Sequence, residues 1–293
     1  MPELPSLTPI ASQPLSVVLL ARNQAGHLEA LLAAWVTFLN GLDREYELIV
    51  VDDGSTDGSG ELAEKLAANY RRVLVRRHER EQGEGAALRT ALTVARHPLL
   101  FYTLGDPHYA PADLCKLLRK RGDPHKPDLE IDHVHLLSAS RGGQPLPWPW
   151  RVLSLFWRLL NRVLFAHVPP RLPGWLGWKR HAGGLLVRVL FGVRYHDVAC
   201  PFRLLRREIL ARIPLQSDGP FVHVELLAKA NYLGLMMGEE VPLQPGRDPP
   251  LTTEMSREEW RQMRADAWRV IRHPEFAREG DVAHAACGLA EER

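Results

Sequence analysis

Hydrophobic positions along this chain alternate between two patterns: short continuous runs, and positions spaced three and four residues apart. Short apolar runs such as Leu15–Ala21 are typical of buried strands, and apolar positions three and four apart predict amphipathic helices. Strands that alternate with helices predict an α/β fold with a mostly parallel sheet flanked by helices. The predicted strands are Leu15–Ala21, Glu47–Val51, Arg72–Arg76, Leu99–Leu104, Val134–Ala139 and Leu235–Val241. The predicted helices are Gly26–Asn40, Gly58–Asn69, Ala86–Ala95, Pro111–Arg121, Arg151–Ala166, Ala182–Gly192, Phe221–Tyr232 and Glu254–Arg272.

The same pattern suggests a domain organisation. Residues 1–14 are Pro-rich and predict a disordered leader. Residues 15–250 form the predicted α/β domain, and residues 251–293 form a C-terminal helix and tail. Within the domain, residues 145–196 predict an inserted helical hairpin with a turn rich in Pro, Gly and Trp. The sequence has no uncharged apolar run of about 18 residues, so we expect no transmembrane helix.

Charge is unevenly distributed along the chain. The net charge of +2 is small, but residues 133–196 contain no Asp or Glu and nine Lys or Arg, so the remainder carries 2 − 9 = −7. Five of the eight tryptophans lie between residues 148 and 178. Arginine, tryptophan and leucine on short helices are typical of a segment lying on an anionic membrane surface. The alternative is a hairpin packed on the sheet with its arginines solvated. The Trp and Leu content of this segment favours a bilayer over nucleic acid.

Cysteine usage indicates the compartment. The three cysteines, Cys115, Cys200 and Cys287, are far apart and show no disulfide or zinc-site spacing. This pattern suits a reducing cytosol.

Two adjacent carboxylates come after the second predicted strand. The run Glu47–Val51 stops at Asp52 and Asp53, and a turn from Gly54 to Gly58 then opens a helix, with Ser55, Thr56 or Asp57 as candidate N-caps. Ligands of open α/β sheets bind at the carboxyl ends of the strands. The sequence therefore indicates a binding site here. An alternative interpretation is that the two carboxylates only cap the helix and satisfy turn amides.

These stretches carry a family resemblance. LSVVLLARNQAGHLEALL and YELIVVDDGSTDGSGELAEKLA resemble the opening of the family 2 glycosyltransferases, inverting enzymes with the Rossmann-like GT-A fold. Within that family the chain is most similar to the dolichyl- and undecaprenyl-phosphate sugar transferases, over about Leu15 to Arg247. The resemblance implies that the nucleotide sugar contacts several residues of the first loops. These residues are Ala21, Arg22, Asn23, Asp52, Asp53, Gly83 and Gly85.

The glycine pair in this set has a second interpretation. Gly83 and Gly85 allow a close backbone approach near a nucleotide. Taken alone, a Gly-x-Gly pair is weak and is typical of any turn that opens a helix. The family commonly has Lys where Glu84 stands, so one expected cation is missing.

The fourth strand departs from the family. FYTLGDPHYAPADL is similar to the pattern FYTDADxQYDPxDL, whose two carboxylates orient the metal and the sugar diphosphate. Here Leu104 replaces the first Asp, Asp106 keeps the second, and His108 stands where the pattern has Gln. The resemblance implies that Asp106 is catalytic and, with His108, holds a divalent cation such as Mn²⁺ or Mg²⁺. Imidazole suits Mn²⁺ better than Mg²⁺. The alternative is a turn Asp before Pro107 with a surface His.

A third group of residues is basic. SASRGG resembles a family segment that places Arg141, and HDVACPFRLLRREIL resembles the family's D-x-x-C-x-F-R/K-x-x-R segment. The resemblance implies that Arg141, Arg203, Arg206 and Arg247 bind an acceptor phosphate, with Arg203 also catalytic. Arginine suits this role because it binds phosphate bidentately. A solvated helix start is the alternative for Arg206, and Glu225 in an apolar helix is expected to be satisfied by a nearby Arg.

Together with these residues, the resemblance implies an inverting hexosyltransferase. The expected donor is a UDP- or GDP-sugar, and the expected acceptor is a polyprenyl phosphate at the cytosolic face of the membrane, where the protein would be peripheral. Two alternatives stay open. One is a non-catalytic or impaired GT-A binding protein, because Leu104 replaces a carboxylate. The other is a soluble transferase acting on a saccharide acceptor. No nucleic-acid partner is expected.

Overall fold

The computed structural model of the chain describes residues 10, 13–118, 134–140, 191–193, 195, 197–238, 241–243 and 257–277. The strands are β1 Leu15–Ala21, β2 Tyr46–Asp52, β3 Val73–Arg77, β4 Leu99–Leu104, β5 Leu136–Ser140, β6 Arg203–Arg206 and β7 Val241–Pro242. The helices are α1 Leu28–Asn40, α2 Ser59–Ala67, α3 Glu84–Val94, α4 Pro111–Leu118, α5 Glu208–Arg212, α6 Val222–Tyr232 and α7 Arg257–Arg272.

The strands form one sheet in the order β3-β2-β1-β4-β6-β5-β7. The first four are parallel, and every residue of β1 and β2 is buried, which explains why their sequences are apolar runs without alternation. The mostly parallel α/β architecture is therefore confirmed. The exception is β6, which runs antiparallel to both β4 and β5. No strand was predicted at Arg203–Arg206, because four residues with an arginine at each end give no clear period.

Helices cover both faces of this sheet. On one face α1 and α4 pack over the strands around Trp35, Phe101 and Phe202, which are fully buried. The ring centroids of Phe101 and Phe202 are 4.6 Å apart in an edge-on arrangement. On the other face α3, α6 and part of α7 enclose Tyr102 and the remaining apolar strand residues. The sheet is thus the middle of three layers, which leaves the carboxyl ends of its strands as the place where such folds bind ligands.

Some element boundaries agree with the prediction and others differ from it. The fourth strand has the predicted bounds, Leu99–Leu104. The predicted N-caps of α2 were wrong, because Gly58 takes that position with a φ of 87°. The last predicted strand shortens to Val241–Pro242, with one isolated bridge between Leu136 and Met237 before it.

Other predictions lie outside the described residues. These are the leader before Ile10, the loop 122–132, and the helical hairpin except for Phe191–Val193 and Tyr195. Within the part of the chain that the structure describes, no helix has the length and apolar character needed to cross a bilayer.

Candidate active site at the carboxyl edge of the sheet

The carboxyl ends of β2 and β4 flank the end of β1. The backbone N–H of Asp53 donates to the carbonyl of Ala21 at 3.0 Å, and that of Gly105 donates to the carbonyl of Leu20 at 2.7 Å. Asp53 and Asp106, the residue directly after Gly105, therefore lie at one edge of the sheet, on either side of β1. This is the crevice where open α/β sheets bind ligands.

The loop after β1 is joined to the turn after β2. Asn23, at a φ of 50°, accepts from the N–H of Thr56 at 3.0 Å through its side chain, and its own N–H donates to Ser55 Oγ at 2.9 Å. The N–H of Gln24 donates to Ser59 Oγ at 2.8 Å. Polar residues that looked like helix caps in the sequence thus hold two loops of the site together.

Asp57 and Arg22 extend this joining. The Asp57 carboxylate accepts from the N–H of Ala25 at 2.9 Å and from that of Ser59 at 3.0 Å. Slight burial would raise the pKa of Asp57, but these bonds and the Ser59 hydroxyl outweigh it and lower the pKa. Arg22 forms an exposed ion pair with Glu81, which lies beyond the end of β3. The loops after the first three strands are therefore linked to one another.

Asp52 points away from the crevice. Its side chain is buried, accepts from the Ser55 hydroxyl, and lies 3.6 Å from Nε of Arg77. A Cβ added at Gly60, on α2, would stand 2.6 Å from Asp52 Oδ2. Asp52 therefore anchors the start of α2 to the sheet, and its predicted contact with a nucleotide has no open path in this arrangement.

Asp53 organises the segment after β3. Its Oδ1 lies 2.7 Å from Nδ1 of His78 and accepts from the N–H of Gln82 at 2.9 Å. Its Oδ2 accepts from the N–H of Gly83 at 2.7 Å. Asp53 is only 6% exposed, so its main action within the protein is to shape the loop that leads into α3.

Gly83 and Gly85 make room for another part of the chain. A Cβ at Gly83, whose φ is 99°, would stand 2.4 Å from the carbonyl oxygen of Asp218, and a Cβ at Gly85 would stand 2.1 Å from that of Ser217. The N–H of Gly85 donates to the Asp218 carbonyl at 2.7 Å. The close approach that the glycines allow is thus made here by protein backbone, at the turn that opens α3.

Asp106 and His108 lie together after β4. Oδ1 of Asp106 accepts from the backbone N–H of His108 at 2.8 Å and lies 2.5 Å from its Nδ1. Both side chains are about one-sixth exposed. Leu104 is half-buried and packs against the apolar clusters on both faces, as a carboxylate there could not without a partner.

The Asp106–His108 pair can hold a divalent cation only together with ligands from the substrate or from water. No group of three or more His, Cys, Asp or Glu side chains suited to a metal occurs in the described ranges. Mg²⁺ and Mn²⁺ are commonly held by one or two protein groups together with substrate phosphate oxygens and water. One carboxylate and one imidazole at the sheet edge fit such a shared ion.

A buried polar chain lies beneath the site. Nε2 of His223, on α6, is 2.8 Å from the carboxylate of Glu84, the first residue of α3. Nδ1 of His223 is 3.2 Å from the hydroxyl of Tyr102, and the two rings stack with centroids 5.6 Å apart. Glu84, where the family has a cation, therefore meets a histidine that sequence patterns did not single out. Its position between two apolar residues at the buried start of α6 was the available signal.

The protonation of Tyr102 follows from its burial, which raises the pKa of the phenol to about 12 against an opposing effect of nearby Arg203. Tyr102 therefore keeps its proton at neutral pH and can hydrogen-bond with Nδ1 of His223. The contact between His223 and Glu84, at the start of α3, is in this way linked to β4.

Arg203 and Arg206 do not converge. They are three residues apart on β6, so they point to opposite faces of the sheet. Arg203 is fully buried and donates to the carbonyls of His223 and Val198. Arg206 is 4% exposed, and its Nε donates to the carbonyl of Val134 at 3.3 Å. This corrects the expectation that both arginines meet one acceptor phosphate. Arg141 and Arg247, predicted for the same role, lie outside the described residues.

Glu225 is satisfied inside the protein, but by a lysine and not by the expected arginine. It is fully buried, lies 2.7 Å from the ammonium of Lys229, and accepts from the N–H groups of Gln216 and Ser217 at 2.8 and 2.9 Å. The cation is a lysine one helical turn later. The pair fixes the segment that contacts the glycines before α3.

The fold and this edge define the class of protein. A mixed sheet with parallel β3-β2-β1-β4 and an antiparallel β6, covered by helices on both faces, is the GT-A fold. Solved structures with this fold include mannosyl-3-phosphoglycerate synthase from Rubrobacter xylanophilus, with a TM-score of 0.54 and 20% identity, covering 92% of this chain and 78% of that one. Glucosyl-3-phosphoglycerate synthase from Mycobacterium tuberculosis, solved with Mn²⁺ and UDP, has a TM-score of 0.56 and 22% identity over 90% and 82%.

The family is shown by the sequence profile. The profile described as "Glycosyl transferase family 2" matches residues 16–213, more than half of the chain. The chain therefore belongs to glycosyltransferase family 2.

Curated relatives refine this placement. Polyprenol monophosphomannose synthase from Mycolicibacterium smegmatis is 29% identical over 68% of this chain and 66% of its own length. Dolichol-phosphate mannosyltransferase from Pyrococcus furiosus is 25% identical over 79% and 56%. Dodecaprenyl-phosphate galacturonate synthase from Rhizobium johnstonii is 24% identical over 72% and 53%. The chain thus spans between about half and two thirds of the length of these relatives, and it lies near the polyprenyl-phosphate sugar transferases within the family.

Proposed function

We propose that this protein transfers a hexose, with inversion, from a nucleotide diphosphate sugar to a polyprenyl phosphate. The observation that carries the proposal is the meeting of the β1, β2 and β4 ends, with Asp106 and His108 together at that edge. The activities for which the polyprenyl-phosphate relatives are named support the choice of acceptor.

The chain's own residues would act mainly by positioning. Asp106 and His108 would hold a divalent cation, Mn²⁺ in preference to Mg²⁺, and the ion would neutralise charge on the leaving diphosphate. The joined loops of Asn23 and Asp57 would orient the nucleotide, and Asp53 would do so through the loop ending at Gly83.

The displacement step requires few further catalytic groups. An oxygen of the acceptor phosphate forms a bond to the anomeric carbon while the bond from that carbon to the diphosphate oxygen breaks, and the nucleoside diphosphate leaves. A phosphate monoester is already a nucleophile near neutral pH, so no strong general base is required. We assign acceptor phosphate binding to Arg141 and Arg247. Arg203 would support the site from within, through the carbonyl of His223.

Attachment to the cytosolic face of the membrane is part of the proposal. A polyprenyl acceptor stays in the bilayer, so the enzyme must work at its surface. The basic, tryptophan-rich residues 145–196 support this location by composition.

Transfer assays test the proposal. Purified protein is incubated with labelled UDP- and GDP-sugars, Mn²⁺ and a polyprenyl phosphate in detergent. The expected product is a polyprenyl phosphate that carries the labelled sugar. Asp106→Asn should lower the rate by at least about 100-fold, comparable to the loss of a key electrostatic group. Asp43→Asn is the matched control, because Asp43 is exposed in the loop before β2, at the other edge of the sheet.

The outcomes separate the alternatives. Transfer to a soluble saccharide or phosphorylated acceptor, but to no polyprenyl phosphate, would replace the acceptor assignment. Absence of both donor binding and transfer with every divalent cation would leave a GT-A binding protein.

A further inference from the structure

One face of α7 carries large apolar side chains that the protein leaves exposed. Trp260, Trp268 and Ile271 are 46%, 57% and 40% exposed. At 3.6 residues per turn, these three positions fall on one side of the helix. Large apolar side chains exposed together on one face, and not scattered singly, mark an interaction site.

Arginines lie between these apolar side chains. Arg261, Arg264 and Arg272 are exposed and fall within the same arc of about 120°. The Arg272 guanidinium lies 4.3 Å from the ring centroid of Trp268. We call these six residues the Trp–Arg face. The acidic side chain at its border is Glu258, which is exposed and 3.9 Å from Arg261.

The fold fixes the direction in which this face points. On the opposite side of α7, Val270 and Asp266 are buried, and Met263 packs against the apolar cluster around α3 and α6. Asp266 accepts from the N–H of Gly219 at 3.2 Å. Because α7 is held on its inner side, the Trp–Arg face cannot turn inward to cover its tryptophans.

We propose that the Trp–Arg face docks the enzyme on an anionic lipid bilayer; this inference rests on the proposed lipid-phosphate acceptor. The helix has 16 residues and is about 24 Å long. Apolar and cationic side chains are mixed along that length, so the whole face can lie flat on a plane. Tryptophan favours the boundary between headgroups and acyl chains, and arginine pairs with lipid phosphate.

Charge complementarity favours lipid over a protein partner. The described side chains within the arc are apolar or positive, which suits a surface that is negative everywhere. A protein interface of this size normally excludes charge from its centre, whereas here Arg264 lies between Trp260 and Trp268 on the helix surface.

The inner side of α7 connects this surface to the active site. The Arg269 side chain donates to the carbonyl of Gln216 at 3.3 Å, and the carbonyls of Ser217 and Asp218 are the ones that pack on Gly85 and Gly83. Docking through α7 would therefore hold the carboxyl edge of the sheet at a set position relative to the membrane.

Co-sedimentation of the full chain with vesicles tests the docking. Wild-type protein should bind vesicles of phosphatidylcholine with about 30% phosphatidylglycerol at low salt, and bind pure phosphatidylcholine more weakly. The variant Trp260→Ser/Trp268→Ser and the variant Arg261→Gln/Arg264→Gln should each bind the anionic vesicles at least about tenfold more weakly. Arg71→Gln/Arg76→Gln, which removes two exposed arginines near β3, is the matched control and should bind like the wild type.

Transfer to a detergent-solubilised polyprenyl phosphate separates this inference from the proposed function. Variants that lose vesicle binding but keep detergent-phase transfer support docking through α7. Unchanged vesicle binding by both variants overturns it, even if transfer is confirmed. A wild-type dimer in solution that the tryptophan variant converts to a monomer also overturns it, because the face would then be a protein interface. Failure of transfer with every acceptor refutes the proposed function, whatever the vesicles show.

Discussion

Asp52 and Asp53 are neighbours in the sequence but have different roles because they point in opposite directions. Asp52 turns toward α2 and Arg77, whereas Asp53 reaches the loop of His78 and Gly83. Successive residues at a strand end face opposite sides of the sheet. The sequence places both at the right strand end, but only the turn geometry decides which one shapes the site.

The Glu225–Lys229 pair gives a prediction at the residue scale. Both side chains are almost fully buried, and Lys229 also donates to the carbonyl of Pro214 at 2.6 Å. Lys229→Met should lower the free energy of unfolding by about 3–5 kcal/mol, because it leaves the Glu225 carboxylate buried without its cation. Urea unfolding measures this loss.

The double variant Glu225→Gln/Lys229→Met is the control for that experiment. The amide oxygen can still accept from one of the two N–H groups, and no charge remains buried. We expect it to be clearly more stable than Lys229→Met alone. Equal stability of the two variants would mean that the ion pair contributes little.

Among elements, the start of α3 depends most on a distant part of the chain. Its first turn packs against residues 217–219, which are held in turn by Glu225 and Asp266. This segment therefore links α3, α6 and α7 near the site. A Gly-x-Gly turn indicates that another group packs closely against it, and the tertiary structure shows that this group is the backbone of residues 217–219.

A substitution at Gly85 tests this packing. Gly85→Ala would place a Cβ 2.1 Å from the Ser217 carbonyl oxygen, so either α3 or the 217–219 segment must move. We expect a loss of about 1–3 kcal/mol in the free energy of unfolding, typical of overpacking. Gly26→Ala is the matched control, since a Cβ there meets nothing within 4 Å and should change the melting temperature little.

Asp266 gives a pH prediction for the attachment of α7. Burial raises the pKa of Asp266, although the N–H of Gly219 and the Arg269 side chain oppose the rise. A carboxyl whose folded pKa lies above its unfolded value favours the folded state most at pH below the unfolded value. That contribution is lost as the pH rises through the folded pKa.

The comparison with Asp266→Asn measures this effect. The amide can accept from Gly219 N–H but does not ionise. In urea unfolding from about pH 4 to about pH 7, the stability of the variant relative to wild type should therefore increase as the pH rises. A relative stability that falls with rising pH would show that Arg269 stabilises the carboxylate more than burial penalises it.

For the molecule as a whole, the proposed function assigns the described residues mainly to the donor side of the site. Strand ends from three different parts of the chain make the crevice, so ligand binding should stabilise the whole domain. UDP or GDP with Mn²⁺, at about 100 times the dissociation constant, should add about 2.7 kcal/mol to the free energy of unfolding. Asp106→Asn should lose the Mn²⁺-dependent part of the rise in Tm, whereas Asp43→Asn should keep it. A rise that is independent of Mn²⁺ in wild type would refute the cation site.

The sequence by itself determined which segments form the central strands and which polar residues stand directly after them. Strands buried on both faces require apolar runs, and polar residues can come only where those runs stop, so Asp53 and Asp106 could be placed at one edge. The position of a polar residue relative to an apolar run is a local property, so it can be identified from the sequence alone.

Only the tertiary structure decided the partners of these residues. The insertion of β6 between β4 and β5 buries Arg203 and Arg206 against backbone carbonyls, and α6 brings His223 to Glu84 across 139 positions of sequence. The anchoring of α7 turns two tryptophans outward. Such pairings depend on how distant elements pack, and packing is a property of the assembled layers that no short stretch of sequence encodes.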